Sequence, residues 1–353
     1  MINNSEIYFE LRSSLKKERD YLESDKREHF LDDILSKLDY ADIYYIYSTK
    51  GLNTVKFLKK HAIVIWDYHY WECFEEYLIQ VENCKNSNKN ITRGTICVIT
   101  NFLSEKYIKI PQISAFLEQV NVEFGEHVTL CSDQYIEINN RLDICKCFAL
   151  FHELGHLEYR KNNNDRISAC KEIILTLLDS LKKEDFESLE YWMDLSWETV
   201  VEIKSGKLDS VLEEMIVDVF GIMLTVDYFM SLYKTEKLKL AYSIVGAIEF
   251  LTTFQNLFNI VTKAWDSHYA EMKFGLTPKI KKADSYVNKL EVARNGLGNL
   301  ILVLVVYKML NLEKDEVTRL WEYRDSNHIN TETVIEYLAD DEFICTAIQE
   351  EMS

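Results

Sequence analysis

Residues that interrupt helices are rare in this chain, which has only two prolines and ten glycines among 353 residues. Proline and glycine are the residues that most often end or break helices, so long uninterrupted helices are expected. From residue 140 onward the pattern predicts a nearly all-helical chain, with its clearest break at residues 295–298. Residues 300–353 predict three further helices, with a turn at Asp325-Ser326-Asn327.

Short runs of β-branched and aromatic residues predict strands in the first part of the chain. Residues 62–66 and 96–100 are such runs, and residues 70–81 between them have apolar side chains at helical spacing. Residues 127–130 and 135–138 predict a hairpin, because the second run alternates as a half-buried strand does. The predicted fold class is α+β, predominantly α-helical, with a small β-sheet preceding a central helix and a helical C-terminal region.

One pentapeptide in that central helix, His152-Glu153-Leu154-Gly155-His156, has the form H-E-x-x-H. Apolar spacing predicts a buried helix over residues 142–157, with Asn140 as its N-cap. Positions i and i+4 share one face of a helix, so both imidazoles can reach one metal ion, with Glu153 beside them to accept a proton from water. The motif predicts a zinc (Zn2+) site with His152 and His156 as ligands and Glu153 as general base. The alternative is a helix with one buried and one surface histidine.

A tetrahedral catalytic zinc site needs a third protein ligand. Glu214 is favoured, because residues 212–220 predict a buried helix on which Glu214 and Asp218 share a face. A carboxylate that faces an apolar interior is costly unless it is paired or binds a metal. With Glu214 on the metal, Asp218 would accept a hydrogen bond from a ligand histidine and Glu213 would point toward solvent. Glu213 is the next choice as ligand, and an acidic helix start on the surface is the simpler alternative. The full set of candidates is Glu158, Asp165, Asp179, Glu213, Glu214, Asp218 and His268.

H-E-x-x-H followed by E-x-x-x-D on a second helix resembles the gluzincin metallopeptidases. The nearest patterns belong to the CAAX-prenyl-protease-like group and the phage-exclusion (Lit-like) group. Their glutamate motif usually reads E-x-x-A-D, and Val217 stands here in place of that alanine. The resemblance covers residues 126–285 and implies a zincin-like catalytic unit. The long gap between His156 and Glu214 must contain at least one inserted helix, which we expect over residues 167–183.

The resemblance also implies roles outside the metal ligands. In zincins the strand before the active-site helix pairs with an extended peptide substrate, although residues 135–138 could equally be an ordinary sheet edge. These families often have a His-Pro-x-x-x-x-Arg segment one helix later. Here that place holds His268-Tyr269, without the Pro and Arg, which implies His268 or Tyr269 as the donor to the oxyanion. A capping or surface role for His268 is the alternative, and Arg294 and Tyr159 are further candidates.

Composition limits the partners and the compartment. The formal net charge of −18 argues against nucleic acid, because nothing offsets phosphate repulsion. The eight cysteines form no C-x-x-C pair and the first residues are polar, so we expect reduced thiols in the cytoplasm and no secretory signal. Cys145 and Cys147, just upstream of the motif, are expected to be buried packing residues rather than ligands. No convincing stretch of about 20 apolar residues predicts a membrane span.

Three regions are expected: an N-terminal α/β accessory region (1–125), a zincin-like metallopeptidase domain (126–290) and a C-terminal helical region (291–353). The expected function is that of a soluble zinc-dependent endopeptidase that hydrolyses peptide bonds of an intracellular protein substrate. The Lit-like resemblance implies a role in bacterial defence or regulation. The alternative is a catalytically inactive zincin-like protein-binding module, and a non-peptidase zinc hydrolase is a third class. Long apolar helices also allow a homo-oligomer or a regulatory protein partner.

Overall fold

The structure is a computed structural model that describes residues 9, 11–13, 15, 21–36, 41–48, 53–58, 61–87, 91–124, 130–161, 165–183, 197–232, 236–274, 297–327 and 332–352. Within these residues the chain is predominantly helical and has one small sheet of four strands. The predicted combination of many helices with a small sheet is confirmed at this level.

The strands are β1 (Tyr21–Glu23), β2 (Ala41–Ser48), β3 (Thr54–Leu58) and β4 (His61–Asp67). They form a mixed sheet in the order β1-β2-β4-β3, in which only β2 and β4 are parallel. Strand β4 confirms the strand predicted for residues 62–66. Alternate side chains of β2 and β4 share one face of the sheet and bury an apolar cluster against the N-terminal residues. Its members are Leu11, Leu15, Tyr44, Ile46, Ile63 and Ile65.

Helices make up most of the described residues, as the scarcity of proline and glycine predicts. Their bounds are α1 His29–Ser36, α2 Tyr68–Ser87, α3 Ile91–Lys106, α4 Pro111–Phe124, α5 Ser132–Lys161, α6 Asp165–Ser180, α7 Trp197–Lys204, α8 Asp209–Leu232, α9 Lys237–Phe274, α10 Leu297–Leu310, α11 Lys314–Asn327, α12 Glu332–Leu338 and α13 Asp341–Met352. Helix α2 confirms the helix predicted for residues 70–81, and α6 confirms the inserted helix predicted for residues 167–183.

The strand predicted for residues 96–100 is wrong, because these residues lie inside helix α3. All of residues 94–100 are buried. A fully buried run has no polar side, so its sequence does not show whether the spacing is that of a helix or of a strand. Thr100 shows how a β-branched residue fits this helix, since its hydroxyl donates to the carbonyl of Ile96 at 2.8 Å.

The strand predicted for residues 135–138 is also wrong, because they belong to α5, which begins at Ser132 rather than after Asn140. The Gln134 side chain accepts a hydrogen bond from the Cys131 backbone N–H at 2.7 Å, which is one half of a capping box. This cap starts the helix ten residues before the predicted one. Of the other hairpin strand, residues 127–129 lie outside the described residues and Leu130 is in no strand.

The C-terminal part of the chain contains more helices than predicted. Helices α10 to α13 make four where three were expected over residues 300–353, within the ranges that the structure describes. Asp325-Ser326-Asn327, predicted as a turn, forms the end of α11. Of the predicted break at 295–298, Leu297 and Gly298 begin α10, and 295–296 lie outside the described residues.

The chain folds as two compact units, each built from separate segments. Unit 1 consists of residues 1–140, 257–275 and 329–353, and unit 2 of residues 141–256 and 276–328. In unit 1 the indole N–H of Trp265 donates to the carbonyl of Leu338 at 2.8 Å, which ties the end of α9 to α12. The expected three-region division at residues 125 and 290 stays a prediction.

Within the described ranges, two helices are long and apolar enough to cross a membrane by length and composition alone. They are Asp209–Leu232 and Lys237–Glu271, whose most apolar windows are 56% and 67% buried. Core helices of soluble proteins pass the same test, so this is weak support for a span. Ionisable residues within lipid are costly, and the first helix carries Glu213, Glu214 and Asp218. The expected absence of a membrane span stays a prediction.

Asp67 connects the sheet to the helix that follows it in unit 1. It is fully buried, and it accepts hydrogen bonds from the backbone N–H groups of Ser48 and His69 at 2.9 and 3.1 Å. Its second oxygen accepts from the Ser48 hydroxyl at 2.5 Å. Because β2 and β4 are parallel, Ser48 and Asp67 end at the same edge of the sheet. Asp67 is therefore both the N-cap of α2 and the link between the two strand ends.

Replacing Asp67 with alanine would remove this cap and leave buried donors without an acceptor. We expect the free energy of unfolding of unit 1 to fall by about 2–4 kcal/mol. Denaturant titration followed by tryptophan fluorescence measures this change. Asp33→Ala is the control, because Asp33 is exposed on α1 and its loss should change stability by less than about 0.5 kcal/mol. Equal effects of the two substitutions would contradict this role for Asp67.

Candidate metal site

Two helices of unit 2 carry the residues of this site. Helix α5 carries His152 and His156 one turn apart, with their ring centroids separated by 5.0 Å. His152 is buried and His156 is half-buried. Helix α8 carries Glu213, Glu214 and Asp218, of which Asp218 is buried and the two glutamates are half-buried. The structure thus brings the two sequence motifs together on neighbouring helices.

Glu214 lies between the two imidazoles. One carboxylate oxygen is 3.5 Å from Nε2 of His152, and the other is 3.5 Å from Nε2 of His156. The ligand atoms of the three residues all lie within 4.8 Å of one another. This group could hold a metal ion, and it is the one group of three such side chains among the described residues. It contains the same three residues that the sequence motifs pick out.

The two separations from Glu214 are longer than direct hydrogen bonds. Hydrogen bonds between nitrogen and oxygen are about 2.7–3.2 Å long, shorter than the two separations of 3.5 Å. Each separation involves a different oxygen of the Glu214 carboxylate, and the three residues leave a space that a metal ion could occupy.

The opposite nitrogen of each imidazole faces a carboxylate of α8. Nδ1 of His152 lies 2.8 Å from Oδ1 of Asp218, and the hydrogen bond expected between these two groups stays a prediction. Nδ1 of His156 lies 2.9 Å from Oε1 of Glu213 and forms a hydrogen bond with it. The expectation that Glu213 points to solvent is wrong. Glu213 and Glu214 are about 100° apart on the helix, so they reach opposite edges of the His156 ring.

The helices meet at two glycines that sequence reasoning did not single out. A Cβ atom at Gly155 would lie 2.9 Å from Cβ and 3.3 Å from Cα of Val217. On α8, a Cβ atom at Gly221 would lie 3.2 Å from the backbone nitrogen of His152. The observed approach of the two backbones therefore leaves no room for a Cβ atom at Gly155 and only a tight fit for one at Gly221. The available signal was a glycine inside a buried helical pattern, which costs helix stability unless packing requires it.

The other predicted site residues are placed as follows. Glu153 is half-buried on α5, next to His152. His268 and Tyr269 lie on the part of α9 that belongs to unit 1. There Nδ1 of His268 is 2.9 Å from the carbonyl oxygen of Ala264, and the ring of Tyr269 lies 5.6 Å from that of Tyr107. Their role as donors to the oxyanion stays a prediction. Arg294 lies outside the described residues.

Three other groups near the motif have defined surroundings. Burial raises the pKa of Tyr159, and the negative charges of Glu213 and Asp209 raise it further. Cys145 and Cys147 are fully buried, and burial raises the pKa of both thiols. The Cys145 thiol donates to the carbonyl of Ala247 at 3.1 Å. Both cysteines are thus buried packing residues, as the sequence predicts.

No protein-family model, curated protein or solved structure matches the chain.

Gly155→Ala tests whether the close approach of α5 and α8 holds the site together. The added methyl group would meet both the side chain and the main chain of Val217, so one helix must move. We expect a loss of stability of about 1–3 kcal/mol, which is typical of overpacking, measured by thermal unfolding.

Gly298→Ala is the matched control for this substitution. Gly298 is also helical and in unit 2, but outside its chain neighbours and its own helix backbone no atom of the described residues lies within 4 Å of the place that an added methyl group would take. Alanine there should leave stability unchanged or raise it by up to about 1 kcal/mol, because alanine favours helix. If Gly155→Ala were as harmless as Gly298→Ala, the packing role of Gly155 would be refuted.

Proposed function

We propose that this protein is a zinc-dependent endopeptidase that hydrolyses peptide bonds of a protein substrate inside the cell. The observation that carries the proposal is the pair of 3.5 Å separations that join one Glu214 carboxylate to Nε2 of both His152 and His156. Glu153, the acid of the H-E-x-x-H motif, is adjacent to His152 on the same helix.

The donor set supports zinc over other common ions. Two imidazoles and one carboxylate suit zinc, whereas Mg²⁺ and Ca²⁺ prefer oxygen ligands. Three protein ligands also leave a fourth tetrahedral position open, as in catalytic rather than structural zinc sites.

The chain's own side chains divide the remaining tasks. His152, His156 and Glu214 would hold the ion. When bound, the ion acts as a Lewis acid and lowers the pKa of its bound water to about 7. The Glu153 carboxylate accepts a proton from the attacking water and passes it to the leaving amine nitrogen. In this proposal, His268 or Tyr269 donates a hydrogen bond to the developing oxyanion, a role assigned by resemblance.

The resemblance to gluzincins, and within them to the CAAX-prenyl-protease-like and Lit-like groups, supports peptide-bond hydrolysis as the reaction. By analogy with the Lit-like group, we propose a setting in bacterial defence or regulation, in the cytoplasm. Such a protease would have a narrow substrate choice, so general substrates such as casein are poor probes. A catalytically inactive binding module is the competing function, and it predicts that Glu153 is dispensable.

Glu153→Gln separates these two functions, because glutamine keeps the size of the side chain and the metal ligands but cannot accept the proton. We expect zinc content to be unchanged and cleavage to fall by at least about 100-fold. Cleavage is measured as new peptide termini, by mass spectrometry, in a whole-proteome peptide library and in native lysate. Chelation of the metal in the wild type should have the same effect.

Two outcomes would contradict the proposal. One is the same set of new termini with the wild type and with Glu153→Gln. The other is no cleavage by the zinc-loaded wild type in either the library or the lysate, which would favour the binding module.

A further inference from the structure

Glu213 has no role in the zinc chemistry described above, yet its carboxylate is within hydrogen-bonding distance of a ligand histidine. Its Oε1 lies 2.9 Å from Nδ1 of His156. Nδ1 is on the opposite side of the ring from Nε2, the nitrogen that faces Glu214. Glu213 therefore approaches His156 from the side away from the metal position and is not placed to be the third ligand.

The distances around His156 favour a proton on Nδ1. A neutral imidazole has a single N–H, and its other nitrogen keeps the lone pair that can bind a metal. The 2.9 Å separation at Nδ1 lies within the usual hydrogen-bond range, whereas the 3.5 Å separation at Nε2 exceeds it. A proton on Nδ1 can be donated to Glu213, and Nε2 would then present its lone pair to the metal position.

The other histidine also has a carboxylate of α8 close to each of its ring nitrogens. Nδ1 of His152 is 2.8 Å from Asp218, and its Nε2 is 3.5 Å from Glu214. A single helix, α8, thus supplies one carboxylate to the metal position and one to the far side of each imidazole. Carboxylates that hold ligand histidines in this way orient the rings and increase their basicity.

We propose that Glu213 is a positioning residue that orients the His156 ring through Nδ1, so that Nε2 faces the metal position before the metal binds. This deepens the proposed function and rests on its metal site. Glu213 stands directly before the ligand Glu214, so two successive residues of α8 reach the two edges of one ring.

The test compares Glu213→Ala and Glu213→Gln with Asp227→Ala, and all three are assayed for zinc affinity by competition with a chelator. Asp227 is exposed on the same helix, so its loss removes one negative charge without touching a histidine. We expect the dissociation constant for zinc to rise about 10- to 100-fold in Glu213→Ala. Glu213→Gln keeps an oxygen acceptor and should fall between Glu213→Ala and the wild type. Asp227→Ala should stay within about twofold of the wild type.

A second readout needs no metal and no activity. Nitrogen-15 NMR of histidine-labelled, metal-free protein reports which ring nitrogen carries the proton. We expect His156 to be the Nδ1–H form in the wild type and a mixture of both forms in Glu213→Ala. If Glu213 had only a structural role, His156 would keep the Nδ1–H form in Glu213→Ala. If Glu213→Ala does not fold, the wild-type spectrum and the Glu213→Gln variant still decide the question.

The outcomes separate this inference from the proposed function. An Nε2–H form of His156 in the metal-free wild type would overturn the inference, whatever the zinc affinity. Equal zinc affinity in Glu213→Ala and Asp227→Ala would overturn it as well. If the wild type binds no zinc, the proposed function fails, and the NMR comparison alone decides whether Glu213 holds His156.

Discussion

The close crossing of helices α5 and α8 is the constraint on which the site depends. Packed helix axes are ordinarily about 8–10 Å apart, and small residues at the contact allow the closer end of that range. Gly155 and Gly221 meet this need, since a methyl group at either would press on the main chain of the other helix. The approach lets the short Asp218 side chain reach His152, and it places Glu214 between both imidazoles.

The buried polar groups of the site depend on one another to offset the cost of their burial. Alone, His152 or Asp218 would lose hydration without compensation, which is costly in an apolar interior. The two lie 2.8 Å apart, where their charges can offset part of this cost, and Glu213 forms a hydrogen bond with His156. This leaves the Glu214 carboxylate and the two Nε2 atoms facing one point, with Glu153 nearby. A divalent cation at that point would offset the negative charge that these acids concentrate, so the arrangement supports a metal centre rather than a structural ion pair.

The sequence predicted which residues of each helix share a face, because helical spacing is a local property. The turn between His152 and His156, or between Glu214 and Asp218, follows from backbone geometry alone. The role of Glu213 was missed because it depends on how α8 is rotated against α5, which local periodicity does not determine. The strands predicted at residues 96–100 and 135–138 failed for two further reasons. Residues 96–100 are buried on all sides, so their sequence has no polar side that marks a helical period. Residues 135–138 alternate as a strand does, but they lie in a helix that begins at the cap formed by Cys131 and Gln134.

Metal analysis of the purified protein tests the central claim most directly. Zinc per chain would be measured in the wild type, His156→Ala and Glu214→Ala, each after reconstitution and removal of loosely bound ions. The account predicts about one zinc per chain in the wild type and its loss in both variants, since each removes one of three ligands. A wild type without zinc, or a Glu214→Ala variant that retains it, would contradict the assignment of His152, His156 and Glu214 as the metal site.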